Sequence, residues 1–254
     1  MSGADFVPPG LRPEETEHEA QPGAPFWGYQ DLFLFFSAAV PSLLVSGVAV
    51  KFVFHALGWH MQGQAPELLA AQFLGYLFWF GFLYLLLRLR YRRPFWKSLA
   101  WVRPGEQFFR LAGWGIALAV GIGLAGAVLR TPDLDMPMKR LFSDPLSIVL
   151  IGIASATVGP VCEEMAFRGF LFPLLARTMG APLGILLSAL PFALLHGPQY
   201  AWSWRHVLLI TVAGVAFGYT RHRTGSTAAA AIVHAAYNST FFLAYVLYGK
   251  DLHV

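Results

Sequence analysis

Two adjacent glutamates, Glu163 and Glu164, stand inside an apolar stretch. It reads Ile148-Val-Leu-Ile-Gly-Ile-Ala-Ser-Ala-Thr-Val-Gly-Pro-Val-Cys-Glu163-Glu164-Met-Ala-Phe167-Arg168-Gly169. A charged side chain at mid-membrane costs about 2.5–3.5 kcal/mol on insertion scales, so it is retained where a partner or a reaction requires it. Neighbouring carboxylates also repel each other. Later apolar segments supply the partners His196, His234 and Asn238. Carboxylates, imidazoles and an amide gathered in lipid point to a catalytic or a transport site.

Helix geometry brings these residues together. Taken as one helix from Leu146 to Met179, the glutamate segment reverses at Gly180-Ala181-Pro182 into the next apolar run. Glu163 lies 17 residues before Gly180 and His196 lies 16 after it. At about 1.5 Å per residue both sit roughly 25 Å from the turn, which predicts that an antiparallel hairpin sets them at one depth. Glu164 and Arg168 are four apart and share a face, while Glu163 and Phe167 share the neighbouring face. The spacing predicts a Glu164–Arg168 ion pair that leaves Glu163 free for chemistry. His234 and Asn238 also project together. His234 lies only nine residues beyond Gly225, so that turn must lie deep or the helix ends must be staggered.

Each element has a blander reading. A buried histidine is commonly a structural hydrogen-bonding group. An asparagine in a membrane helix commonly joins helices, and a Glu–Arg pair at this spacing is commonly a local salt bridge. The joint pattern outweighs these readings, because five polar groups fall in three apolar segments and two of them share a predicted depth.

The composition demands a membrane. Of 254 residues, 56% are hydrophobic and 13% charged, against about 25% charged in a soluble domain. At roughly 20 residues per span, the expected architecture is all-α, a polytopic helix bundle of about seven transmembrane helices (six to eight). The segments run near 32–57, 66–89, 111–129, 145–177, 182–196, 206–220 and 226–248. Residues 1–25, with four glutamates between Glu14 and Glu19, read as a disordered acidic tail rather than a signal peptide. Residues 26–144 form the N-terminal transmembrane helices and 145–248 the core that carries the polar motifs. The net charge of +4 is scattered and argues against nucleic acid. A lone cysteine, Cys162, excludes an internal disulfide. Seven Lys and Arg residues between Arg88 and Arg110 place that loop on the cytoplasmic side. The glycine pattern Gly121-Ile-Gly123-Leu-Ala-Gly126 lies within an apolar span, where small residues serve helix packing rather than nucleotide binding.

The motifs together resemble the CPBP family, the CAAX-protease and bacteriocin-processing intramembrane proteases also called ABI. Glu163-Glu164-Met-Ala-Phe167-Arg168 is similar to its Glu-Glu-x-x-x-Arg motif, Phe192-Ala-Leu-Leu-His196 to Phe-x-x-x-His, and His234-Ala-Ala-Tyr-Asn238 to His-x-x-x-Asn/Asp. Each is weak alone; three in order over about residues 145–245 are specific. The resemblance implies hydrolysis of a peptide bond in or near the membrane. It implies that Glu163, assisted by His196, activates water and that His234 and Asn238 hold the oxyanion. Glu164 and Arg168, with Phe167 and Phe192, would support them. It implies a protein or peptide substrate, with an apolar C-terminal or lipidated segment, presented from the bilayer.

A zinc ion held by Glu163, His196 and His234 is the mechanistic rival. Asn238 and the absence of a His-Glu-x-x-His pair favour a reaction without a cofactor. A proton-coupled transporter and an idle immunity protein are the rival classes. No inverted repeat supports the transporter, and intact motifs count against the idle scaffold. Short loops and the lack of a targeting segment suit a prokaryotic cytoplasmic membrane.

Overall fold

Helix-forming apolar runs, punctuated by Pro, Gly and a few capping carboxylates, build every element. The computed structural model describes residues 25–59, 63–132, 141–142 and 144–248; the tail expected at 1–25 thus lies almost entirely outside the described residues. The helices are α1 (Tyr29–Ala56), α2 (Ala65–Leu85, continued by a π-helical turn at Leu86–Arg90), α3 (Phe95–Ser98), α4 (Phe108–Val128), α5 (Pro145–Ala156) and α6 (Val158–Glu164). A π-helical run at Met165–Leu171 leads into α7 (Phe172–Met179), followed by α8 (Ala181–Leu195), α9 (Trp204–Thr224) and α10 (Thr227–Tyr248). The described residues contain no strand, and the protein is a polytopic helical bundle.

Caps mark where the helices begin. Asp31 accepts the Gly28 N–H at 2.9 Å in the first turn of α1, and Asp144 accepts the Ser147 N–H at 2.9 Å ahead of α5. Pro145 opens α5, where its missing N–H costs no helical bond. Gly180 (φ +81°) and Gly225 (φ +65°) make the tight reversals after α7 and α9, at angles where a side chain would be strained.

Among the described residues five helical runs are long and apolar enough to cross a membrane: Tyr29–Ala56, Ala65–Arg90, Gly105–Val128, Pro145–Met179 and Thr227–Tyr248. The other two expected crossings are α8, which is apolar but only 15 residues long, and α9, whose hydropathy is diluted by Arg205, His206, Arg221, His222 and Arg223. The outer faces are apolar, with Phe33, Val48 and Phe52 standing free on α1 and Phe109 and Val128 on α4, as a lipid-facing surface requires.

The expectation of a single helix from Leu146 to Met179 is corrected. The chain leaves helical geometry at Thr157 (φ −130°, ψ −82°). Pro160 cannot donate to the carbonyl of Ala156, and its ring crowds that carbonyl, so the helix divides there. The π-helical run then begins directly after Glu164. Its wider turns re-aim every side chain relative to an ideal α-helix, a device found often at functional sites.

The buried core draws on both halves of the chain. Trp27 stacks on Phe170 with centroids 4.9 Å apart and donates from Nε1 to the Phe170 carbonyl at 3.1 Å. Phe35 and Trp79 stack at 4.5 Å. At Gly126 the Leu209 side chain of α9 lies 3.4 Å from where a Cβ would stand. The glycine run of α4 thus serves helix packing there, while Gly121 and Gly123 have open space around them.

Candidate active site

The short distance from Gly225 to His234 is reconciled by the 99–102 loop. Thr227 donates from Oγ1 to the Leu99 carbonyl at 2.6 Å, its N–H reaches the Ala100 carbonyl at 3.0 Å, and Ser226 Oγ donates to the Val102 carbonyl. Leu99 is buried and packs against the backbone at Gly169, where an added Cβ would meet it at 3.2 Å. One residue therefore touches both the motif helix and the start of α10. From that level Glu164 is five residues along one chain and His234 seven along the other. At about 1.5 Å per residue these climbs differ by roughly 3 Å. The turn lies deep, as one of the two options required.

Glu164 is the hub. Its Oε1 accepts from Arg168 Nη1 at 3.0 Å, so the expected ion pair is present, and both side chains are fully buried. The same oxygen faces His234 Nδ1 at 2.9 Å, a contact the spacing did not foretell. Arg168 donates its other nitrogen, Nη2, to the Gly214 carbonyl of α9 at 2.7 Å. Its guanidinium carbon lies 4.6 Å from the Phe192 centroid and 5.4 Å from that of Phe217. These contacts offset part of the cost of burying the charges, although Glu164 Oε2 and Arg168 Nε have no hydrogen-bond partner among the described residues.

His234 is held on three sides. Its ring stacks on Phe217 at 4.4 Å and 18°, and it meets Phe192 edge-on at 5.7 Å. With Nδ1 committed to Glu164, Nε2 points to Glu163 Oε2 at 3.7 Å. The Glu163 side chain keeps 28% of its surface exposed, where His234 keeps 3% and Glu164 none. One imidazole thus connects a sealed carboxylate to an accessible one.

His196 caps α8. Its Nδ1 lies 2.8 Å from the Phe192 carbonyl. A carbonyl only accepts, so Nδ1 carries a proton there, and Nε2 is bare whenever the ring holds that proton alone. Phe192 sits 4.7 Å from His196 and 5.4 Å from Phe167, besides its contact with His234. The Phe-x-x-x-His motif thus places its phenyl ring against both histidines. The imidazole facing Glu163 is that of His234; among the described residues no hydrogen bond or ion pair joins Glu163 to His196. Asn238 donates from Nδ2 to the Ser155 carbonyl of α5 at 2.9 Å, which uses one of its two amide protons.

Among the described residues no group of three or more His, Cys, Asp and Glu side chains is placed to hold a metal ion. Nδ1 of His234 faces Glu164 and Nδ1 of His196 faces a carbonyl, which leaves Nε2 of each ring for a proton, a substrate or a metal.

Phe217, which stacks on His234, lies beyond the motifs and belongs to the site. Tyr76 of α2 accepts from Gln72 Nε2 at 2.8 Å. Gln72 and Tyr76 are four apart in an apolar span, the same signal that marks His234 and Asn238. Phe217 had no such signal, because one more phenylalanine in an apolar helix is indistinguishable from core.

Residues 145–240 match the family model described as Rce1-like, type II CAAX prenyl endopeptidase Rce1-like. No curated protein and no solved structure matches the chain.

Proposed function

We propose, from the premise that residues 145–240 are a domain of the type II CAAX prenyl endopeptidase Rce1-like family, that this multi-pass membrane protein is an endopeptidase whose nucleophile is a water activated by Glu163. The observation that carries the reading is the line Arg168–Glu164–His234–Glu163, which is sealed at one end and accessible at the other.

In this reading Glu163 accepts a proton from water as the hydroxyl oxygen adds to the scissile carbonyl carbon. His196, with its bare Nε2, orients that water by accepting its second proton as a hydrogen bond. The carbonyl π electrons move to oxygen and make an oxyanion. In its doubly protonated form His234 donates Nδ1–H to Glu164 and offers Nε2–H to that oxyanion, beside the second amide proton of Asn238. Donors fixed before the reaction in a site poor in water act strongly on developing charge. Glu163 then hands its proton to the amide nitrogen as the C–N bond breaks, leaving a carboxyl product and an amine. Arg168 and Glu164 set the position of His234 and take no proton. The substrate is a protein or peptide that presents an apolar or lipidated C-terminal segment from the bilayer. The setting is a prokaryotic cytoplasmic membrane.

The test uses the purified chain in detergent and a prenylated C-terminal peptide. The parent should cleave it and Glu163→Gln should not, with equal melting temperatures. Cleavage by both proteins, or by neither, would sink the proposal.

A further inference from the structure

Helices α4 and α9 leave a groove between them at the arginine-rich end of the molecule. It is an open groove with room of about 410 Å³, more than single waters need. Arg110, near the start of α4, and Arg223, near the end of α9, line it together with Gly113, Trp114, Ala117 and Tyr219. From Arg110 to Ala117 the groove runs seven residues along α4, about 10 Å towards the middle of the bundle.

The charges at this end are not equivalent. Arg90 pairs with Asp31 at 3.0 Å, Arg93 lies over the Phe26 ring, Arg177 donates to the Pro25 carbonyl, and Arg221 donates to Thr227 Oγ1 at 3.1 Å. Among the described residues the side chains of Arg110 and Arg223, like those of Arg88, Arg92 and Arg103, have no hydrogen bond or ion pair, and of these five only Arg110 and Arg223 line the groove. Below them the groove turns apolar, because the hydroxyls of Thr220 and Thr224 donate to carbonyls of their own helix. Trp114 and Tyr219 are half exposed, and tryptophan and tyrosine are the side chains that favour the headgroup layer. Two uncommitted guanidinium groups above an apolar channel complement an anion with a hydrocarbon tail. A free phosphate would leave the channel unfilled, and a zwitterionic headgroup would leave the charges unneutralised.

We propose that this groove binds an anionic phospholipid of the cytoplasmic leaflet. Arg110 and Arg223 hold its phosphate with their planar donor forks, and one acyl chain lies over Trp114, Ala117 and Tyr219. Basic pockets between membrane helices on that side hold anionic headgroups by the same physics. The site is separate from the glutamate site, so its test does not depend on peptidase activity.

The full chain, purified in detergent, is titrated with dioleoylphosphatidylglycerol, dioleoylphosphatidylcholine or inorganic phosphate, and retained lipid is read by native mass spectrometry beside the melting temperature. Phosphatidylglycerol should remain bound and raise the melting temperature, and the other two probes should not. Arg110→Gln and Arg223→Gln should each weaken retention about fivefold, the worth of one basic residue at a lipid surface. Gly113→Leu tests the apolar half without touching charge, because nothing lies within 4 Å of an added Cβ there; it should weaken retention while the apo protein melts as the parent does. Equal retention of phosphatidylcholine, a shift reproduced by phosphate alone, or retention untouched by all three substitutions would overturn the proposal.

Discussion

Asp31 and Glu164 are both buried carboxylates with an arginine beside them, and the molecule uses them differently. Asp31 accepts the Gly28 N–H at 2.9 Å and the Tyr91 hydroxyl at 2.6 Å, and it pairs with Arg90 at 3.0 Å. The first contact caps α1, and the other two close its first turn onto the chain at the end of α2. The Arg90 side chain is half exposed, so the network drains into solvent and stops. Glu164 pairs with Arg168 in complete burial, and its other contact is an imidazole that faces a second acid, Glu163. A carboxylate held by an arginine is scaffold in both places. Chemistry enters where the scaffold fixes a titratable ring that can act on an accessible carboxylate.

The sharpest way to break this contrast is to neutralise one carboxylate in each region. Glu163→Gln should lower kcat by about 10²–10⁴, the usual contribution of a general base, with the melting temperature of the parent. Asp31→Asn should lower the melting temperature and leave turnover per folded molecule unchanged. Peptide turnover normalised to the folded fraction checks both. A loss of turnover in Asp31→Asn as large as that in Glu163→Gln would erase the distinction.

The next largest effect falls on stability. Glu164→Gln leaves the Arg168 guanidinium buried without its anion, at a cost of about 3–5 kcal/mol. Arg168→Met should cost a similar amount. The double variant should lose much less than the sum, since neither charge is then left alone. Denaturant unfolding of the four proteins in one detergent closes the cycle; simple additivity would mean that Glu164 and Arg168 do not support each other.

Much of this was legible in the sequence, for identifiable reasons. The apolar runs located each long helix because lipid leaves the chain few alternatives. The Glu164–Arg168 pair came from its i,i+4 spacing within a short span. Spacing failed where the helix was not ideal. Pro160 divides the expected helix at Thr157, and the π-helical turns after Glu164 redirect the side chains beyond it. The bridge from Glu164 to His234 joins residues 70 apart and depends on Leu99, a loop residue that sets the level of both helices. Nothing in a one-dimensional pattern marks Leu99, because its role is its position between Gly169 and Thr227.

Asn238 sharpens the boundary between scaffold and chemistry, because the Ser155 contact alone would make it a tie between α10 and α5. Asn238→Ala should lower kcat by about 10²–10³, as loss of an oxyanion donor does, with less effect on KM because that bond strengthens in the transition state. A purely structural asparagine would instead cost about 1 kcal/mol of stability and leave kcat intact. Turnover of the parent should also persist through exhaustive chelation. One equivalent of zinc tracking activity would reassign the histidines while leaving the endopeptidase reading in place.

The smallest expected effect returns to the structural carboxylate and tests whether it is only structural. Tyr91→Phe removes the 2.6 Å hydrogen bond to Asp31, and a bond to a charged group contributes about 1.5–3 kcal/mol. Burial and the hydrogen bond to Asp31 hold the Tyr91 phenol above its ordinary value, since ionisation would place two anions side by side. A group whose folded pKa is raised contributes fully below its unfolded value, about 10 for tyrosine, and loses that contribution as pH rises through the folded value. The stability gap between the parent and Tyr91→Phe should therefore be constant from neutral pH to about 9 and shrink in stronger alkali. Turnover at neutral pH should be the same in both. A gap that changes near pH 7, or a fall in kcat, would mean that the Asp31 cluster communicates with the glutamates and that the two regions are one.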